Sequence, residues 1–150
     1  MIHIIRCDSS NKDFQTLVNQ LDRVLATLDG DDHPFYHQFN SIVNLQNTVV
    51  IYKNNIAVGC GAIKPYADQI AEVKRMFVRP EYRKQGMAAA ILKELESWAK
   101  ELGIQKLVLE TGRKQIEAIA LYTKHDYEIC ENFEPYIGIE NSICFEKKLS

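Results

Sequence analysis

No apolar run in the chain is long enough to span a bilayer, so no membrane-spanning helix is expected. There is no basic excess either. The formal net charge is −2, which argues against a general nucleic-acid binder, since that function needs a basic face. Cysteine is sparse, and Cys7, Cys60, Cys130 and Cys144 show no C-x-x-C or other metal-ligand spacing. A chain of this length has no small-scaffold need for disulfides, so reduced thiols in the cytoplasm are expected. The opening M-I-H-I-I-R-C-D is too short and too polar to read as a secretory signal. His33 and His37 stand four apart, but no glutamate follows His33 and no third ligand is evident, so no metal is expected. Neither G-x-S-x-G nor G-x-x-x-x-G-K-[ST] occurs. Gly59-Cys60-Gly61 lacks the third glycine of a dinucleotide loop and sits inside an expected strand.

What is present is an ordinary globular composition, with 46% hydrophobic and 25% charged residues in 150, enough for one domain over residues 1–150 with a real core. Met1 to Arg6 alternates as a short edge strand. Apolar residues at 14, 17, 18, 21, 24, 25 and 28 form a helical stripe over Asp13–Leu28, with Ser9, Ser10 and Asn11 as cap candidates. A second short helix is expected from Pro34 through Ile42. Residues 48–53 and 56–63 flank Asn54-Asn55, and asparagine tolerates the positive φ of a tight hairpin turn. Pro65 to Asp68 should break the chain before a strand over Ile70–Val78. A helix to about Leu102 follows, then a buried strand over Lys106–Glu110, parallel to its predecessor because a helix joins the two. Thr111-Gly112-Arg113 should turn into a helix over Lys114–His125, before strands near Tyr127–Cys130 and Ile143–Leu149.

The organising stretch is V-R-P-E-Y-R-K-Q-G-M-A-A-A-I-L, residues 78–92. Pro80 ends the strand, Gly86 lets a ligand approach the main chain, and the helix after it opens with unpartnered N–H groups. Lys74, Arg75, Arg79, Arg83 and Lys84 crowd the same region, a setting suited to a compact phosphate ligand. Read by itself, the loop is equally a basic turn capping an ordinary helix.

The run Arg83-Lys84-Gln85-Gly86-Met87-Ala88, with A-I-A-L-Y at residues 118–122, resembles the acyl-CoA signature of the GNAT superfamily of N-acyltransferases. Ala88 replaces the glycine often found at that position, Gln115 stands where many members have asparagine, and Asp126-Tyr127 replaces a glycine-aromatic pair. The resemblance implies a mixed α/β sheet in the order β-α-α-β-β-β-α-β-α-β-β, with the fourth and fifth strands splayed around the pantetheine arm of acetyl-CoA. Main-chain groups of Met76, Phe77 and Val78 would pair with that arm, residues 83–88 would meet the pyrophosphate, and Gln115 would contact pantetheine.

By the same resemblance Glu72 stands where some members keep a general base, and Tyr122 where a general acid is common. Each has a plainer alternative: Glu72 as a charge partner of Lys74 or Arg75, and Tyr122 as a core tyrosine. His37, with Tyr36 and Phe39, either lines an acceptor pocket or packs the second helix, and Asn132 and Tyr136 are further acceptor-site candidates. The implied activity is direct acetyl transfer from acetyl-CoA to a primary amine of a small or amino-acid-like acceptor. A protein amine, or an acyl-CoA-binding module with weak catalysis, stays open, as does a homodimer by analogy with the family.

Overall fold

The computed structural model describes residues 1–29 and 44–150. One seven-stranded sheet runs through it in the order β1-β2-β3-β4-β5-β7-β6. Its strands are β1 (Ile2–Cys7), β2 (Asn47–Lys53), β3 (Ile56–Ala67), β4 (Ile70–Val78), β5 (Lys106–Gly112), β6 (Glu128–Cys130) and β7 (Ser142–Lys148). Among the described residues the helices are α1 (Lys12–Asp29), α2 (Met87–Glu101) and α3 (Ile116–Lys124), with a 3-10 turn over Pro80–Tyr82. β4 and β5 pair in parallel and the other neighbours antiparallel. The expected helix over 34–42 lies outside the described residues, as do His33, Tyr36, His37 and Phe39. Among the described residues no helix is long and apolar enough to cross a membrane.

Period-two alternation along the strands builds two cores, one on each face. Val49 and Ile51 of β2 join Ile91, Leu92 and Leu95 of α2, while Val50 between them joins Phe14, Leu17 and Leu21 of α1. The α1 stripe therefore packs as its spacing predicts, and Asn11 caps the helix by accepting from the Phe14 amide at 2.9 Å. The hairpin turn also forms as expected, with Asn54 and Asn55 both at positive φ, 51° and 69°.

Gly59-Cys60-Gly61 is a packing device. A Cβ on Gly61 would fall 2.7 Å from Ile91 Cγ2, so only glycine lets α2 lie this close over β3.

Two boundaries differ from the sequence reading. β3 does not break at Pro65 but continues to Ala67. The last β2 partner is Asn47 opposite Ile63, so at Pro65 the β2 side of β3 is a free edge, the setting in which a strand tolerates proline, while β4 still pairs it through Ala71. β5 runs on through Thr111 and Gly112 because β7 supplies partners there, Ile143 and Ser142, and α3 consequently starts at Ile116.

β4 carries a bulge. Pairing skips from Ala62–Lys74 to Cys60–Phe77, and Arg75 takes φ 58°. Its guanidinium turns into the α1 side and pairs with Asp22.

Candidate functional site

β4 and β5 are paired only at Ile70–Lys106, Ala71–Leu107 and Glu72–Val108. Beyond Glu72 the two strands part, β4 staying with β3 and β5 with β7. A cleft of about 990 Å³ opens from this fork, bounded by α1, β4, β5, α3 and the start of α2. Met76, Phe77 and Val78 line it from β4, Gln115 from just before α3 and Tyr122 from α3.

The end of the cleft nearest α2 is basic. Arg83 and Lys84 line it together with Gly86, Met87 and Ala88. Lys84 at φ 63° and Gly86 at φ 82° bend the chain into the helix, which has no side-chain cap. The first helical bond to the turn comes from Ala90 to the Gly86 carbonyl, so the N–H groups before it face an open space. A Cβ added to Gly86 would meet nothing within 4 Å. Room, donors and cations coincide here, which fits an anionic group such as a pyrophosphate.

Two members of the expected loop point elsewhere. Gln85 does not line the cleft; its side chain accepts from Lys53 Nζ at 2.6 Å, tying the loop to the β2–β3 hairpin. Arg83 lines the cleft but donates through Nε to the Val78 carbonyl at 2.9 Å, and its guanidinium lies over Phe77.

Glu72 and Tyr136 meet at the base of the fork. The Tyr136 hydroxyl donates to Glu72 Oε2 at 3.3 Å, and Lys74 Nζ approaches the same oxygen at 3.5 Å. Glu72 is 7% exposed, and burial lifts its carboxyl above the ordinary range despite Lys74, which pulls the other way. Of its two expected charge partners it therefore has Lys74, while Arg75 belongs to Asp22.

Asn132 does not line the cleft. Its amide donates to the carbonyls of Tyr136, Ile139 and Ser142, between 3.1 and 3.3 Å, and so shapes the loop that carries Tyr136.

Tyr122 is buried against Tyr127 and Phe145, with ring centroids 5.6 and 6.0 Å away. None of the hydrogen bonds formed among the described residues involves its hydroxyl. Burial and the nearby Glu110 carboxylate push its pKa far up.

Four features of the cleft were not read from the sequence. Glu110 and Thr111 line it from β5, Lys114 stands before α3, and the last turns of α1 form an apolar wall. The Thr111 hydroxyl is buried with no hydrogen-bond partner among the described residues. Only the α1 wall had a signal, its apolar stripe, and nothing local said which part of that stripe faces open space. Among the described residues no group of three or more His, Cys, Asp or Glu is arranged to hold a metal.

Residues 15–127 match the Acetyltransferase (GNAT) family. An IAA acetyltransferase of Azospirillum brasilense is 35% identical over 141 residues, 89% of this chain and 88% of that one. A structure from Klebsiella pneumoniae, provisionally described as an acyl-CoA N-acyltransferase, is 31% identical at a TM-score of 0.85, over 100% of this chain and 99% of that one. The PaiA N-acetyltransferase of Thermoplasma acidophilum, solved in complex with coenzyme A, shares the fold at 19% identity and a TM-score of 0.74, over 99% of each chain. With this match, this strand order and this forked cleft, the chain belongs to the GNAT family of acetyltransferases.

Proposed function

We propose that residues 1–150 act as one N-acetyltransferase domain that moves the acetyl group of acetyl-CoA directly onto a primary amine of a small or amino-acid-like acceptor. Family and fold support acetyl-CoA-dependent acetyl transfer in general. The observation that carries the finer reading is the polarity of the cleft. It has cations and open helix N–H groups at one end, a buried carboxylate at the other, and parted strands between. The Thermoplasma protein of the same fold holds coenzyme A, the ligand this reading requires.

In this reading the α2 N-terminus and Lys84 hold the phosphates. Main-chain groups of Met76, Phe77 and Val78, with the Gln115 amide, orient the pantetheine arm along β4. The bound thioester supplies an electrophilic acyl carbon and a thiolate leaving group.

Glu72 takes a proton from the amine. A lysine-type ammonium of pKa about 10.4 costs roughly 4–5 kcal/mol to neutralise at pH 7, against about 1–1.5 for an α-amine near pKa 8. A carboxylate whose pKa is lifted by burial is a better base for that task than an exposed one.

Tyr122 donates a hydrogen bond to the sulfur as charge grows there. Its raised pKa makes full proton transfer to a thiolate of pKa about 8.5 strongly uphill, so the phenol acts mainly as a donor. The balance is simple: a C–N bond forms, the C–S bond breaks, and the ammonium loses two protons. One of these ends on the thiol and the other reaches solvent through Glu72.

The test is a broad amine screen with acetyl-CoA, following thiol release and product mass. Turnover with small amines is expected. Tight acetyl-CoA binding with no turnover on any amine would identify an acyl-CoA-binding module, and turnover confined to protein amines would move the acceptor to that class.

A further inference from the structure

Cys130 and Cys144 face each other across the last two strands of the sheet. They are direct partners in the β6–β7 register, so their side chains stand on the same side of the sheet. Directly opposite residues of an antiparallel pair have Cα atoms about 4.5 or 5.5 Å apart, and a disulfide needs about 4.4–6.8 Å. The main chain is thus already at bridging distance. Both thiols are free and pack in one small cluster with Phe133, Tyr136 and Ile139. The other two cysteines have no such arrangement: Cys7 lies opposite Thr48, and Cys60 opposite Val50 and Phe77.

From this register we infer that Cys130 and Cys144 are an oxidisable pair, and that their disulfide clamps the loop carrying Tyr136 to the sheet. The bond joins the two ends of the loop over residues 131–143, which brings the Tyr136 hydroxyl to Glu72. In the reduced chain the first end of that loop is tied to β7 by the three residue pairs of β6 and by the Asn132 amide, which reaches the Ser142 carbonyl. β6 is a three-residue strand at the edge of the sheet, and such a ladder opens locally where a covalent bond does not. Cys130 is half-buried and Cys144 fully buried, so an oxidant reaches Cys130 first. With hydrogen peroxide as the oxidant, the Cys130 thiolate breaks the O–O bond and becomes a sulfenic acid, releasing one water. The Cys144 thiolate then attacks that sulfur, the S–S bond forms, and the sulfenic hydroxyl leaves as a second water. Two electrons pass from the sulfurs to the peroxide, and the two thiol protons end on the waters. Burial holds both thiol pKa values up, that of Cys144 to about 11, so the pair is oxidised slowly. None of this depends on the acetyltransferase reading.

The experiment incubates the full chain with hydrogen peroxide, blocks the remaining thiols with N-ethylmaleimide and maps its peptides without reduction. A linked Cys130–Cys144 peptide is expected, lost on treatment with dithiothreitol, absent from Cys130→Ser and present in Cys7→Ser. The oxidised wild type should melt roughly 5–10 °C above the reduced one, as closing a loop of this length implies. Hydrogen exchange of the loop amides should slow in the oxidised wild type and not in Cys130→Ser treated alike. Recovery of both cysteines as maleimide adducts overturns the pair. So does oxidation of Cys130 to a sulfinic acid while Cys144 stays free, or linkage to Cys7, Cys60 or a second copy of the chain. A linked peptide with unchanged exchange in the loop overturns the clamp. The wild-type mapping decides the matter by itself if a serine variant fails to fold.

Discussion

Tyr122→Phe keeps the ring that packs on Tyr127 and Phe145 and deletes only the hydroxyl. If that hydroxyl meets growing sulfur charge, kcat should fall on the order of 10²–10³-fold with little change in acetyl-CoA affinity, as for loss of one oxyanion-type donor. Raising the pH should not restore the rate; a wild-type kcat would make Tyr122 a packing residue. Glu72→Gln should respond differently. As the base, Glu72 sets the acidic limb of the pH–rate profile, and its variant should recover in part as free amine appears at high pH. An unchanged acidic limb would reduce Glu72 to a partner of Lys74. Stability offers an independent check. Burial raises the folded pKa of Glu72, so its contribution to stability is full below the ordinary glutamate pKa and is lost as pH rises through the raised value. The melting temperature of Glu72→Gln, measured against wild type, should therefore compare more favourably at pH 8 than at pH 4.

At the scale of elements, the position of α2 links the core to the basic end of the cleft. Gly61→Ala would put Cβ 2.6 Å from Met76 Sδ and 2.7 Å from Ile91 Cγ2. The methionine can swing away, but the branched Ile91 is fixed to the helix, so α2 itself must shift. A loss of about 1–3 kcal/mol is expected, read as a drop in melting temperature, together with weaker acetyl-CoA binding because the same helix carries the Gly86 turn. At Gly86 the argument reverses. Space is open around its Cβ, so Gly86→Val should cost stability only through its φ of 82°, about 1–2 kcal/mol, yet should raise the acetyl-CoA dissociation constant sharply by filling the ligand's room. Equal affinities in calorimetric titration would remove the turn from the site. Lys84→Ala should weaken binding about fivefold at low salt and flatten its salt dependence, since an exposed cation acts through a screened field.

For the molecule as a whole, the fork between β4 and β5 joins the two halves of the sheet through only three residue pairs. A ligand lying along both strands adds contacts that the free chain lacks. Acetyl-CoA at about 100 times its dissociation constant should stabilise the fold by about 2.7 kcal/mol, seen as a rise in melting temperature that grows with ligand concentration. No shift at saturating acetyl-CoA would mean that the folded chain does not bind the cofactor.

The sequence by itself determined most of the described elements and the basic turn before α2, because those signals are local. The 3.6 period of α1, the Asn54-Asn55 turn, the proline stop after Val78 and the glycine before α2 each act within a few residues. Tertiary structure alone decided where strands end and which side chains share a space. β5 reaches Gly112 because β7 lies beside it, and Pro65 is tolerated because β2 has already stopped. Glu72 and Tyr136 are 64 residues apart in sequence yet share a hydrogen bond, whereas Asn132, four residues from Tyr136, is taken up by its own loop. Gln85 lies inside the signature but turns to Lys53 on a distant hairpin. The chemistry of the acceptor end depends on α1, β4 and β5 converging. That convergence is a property of sheet order and strand parting, which no window of neighbouring residues encodes.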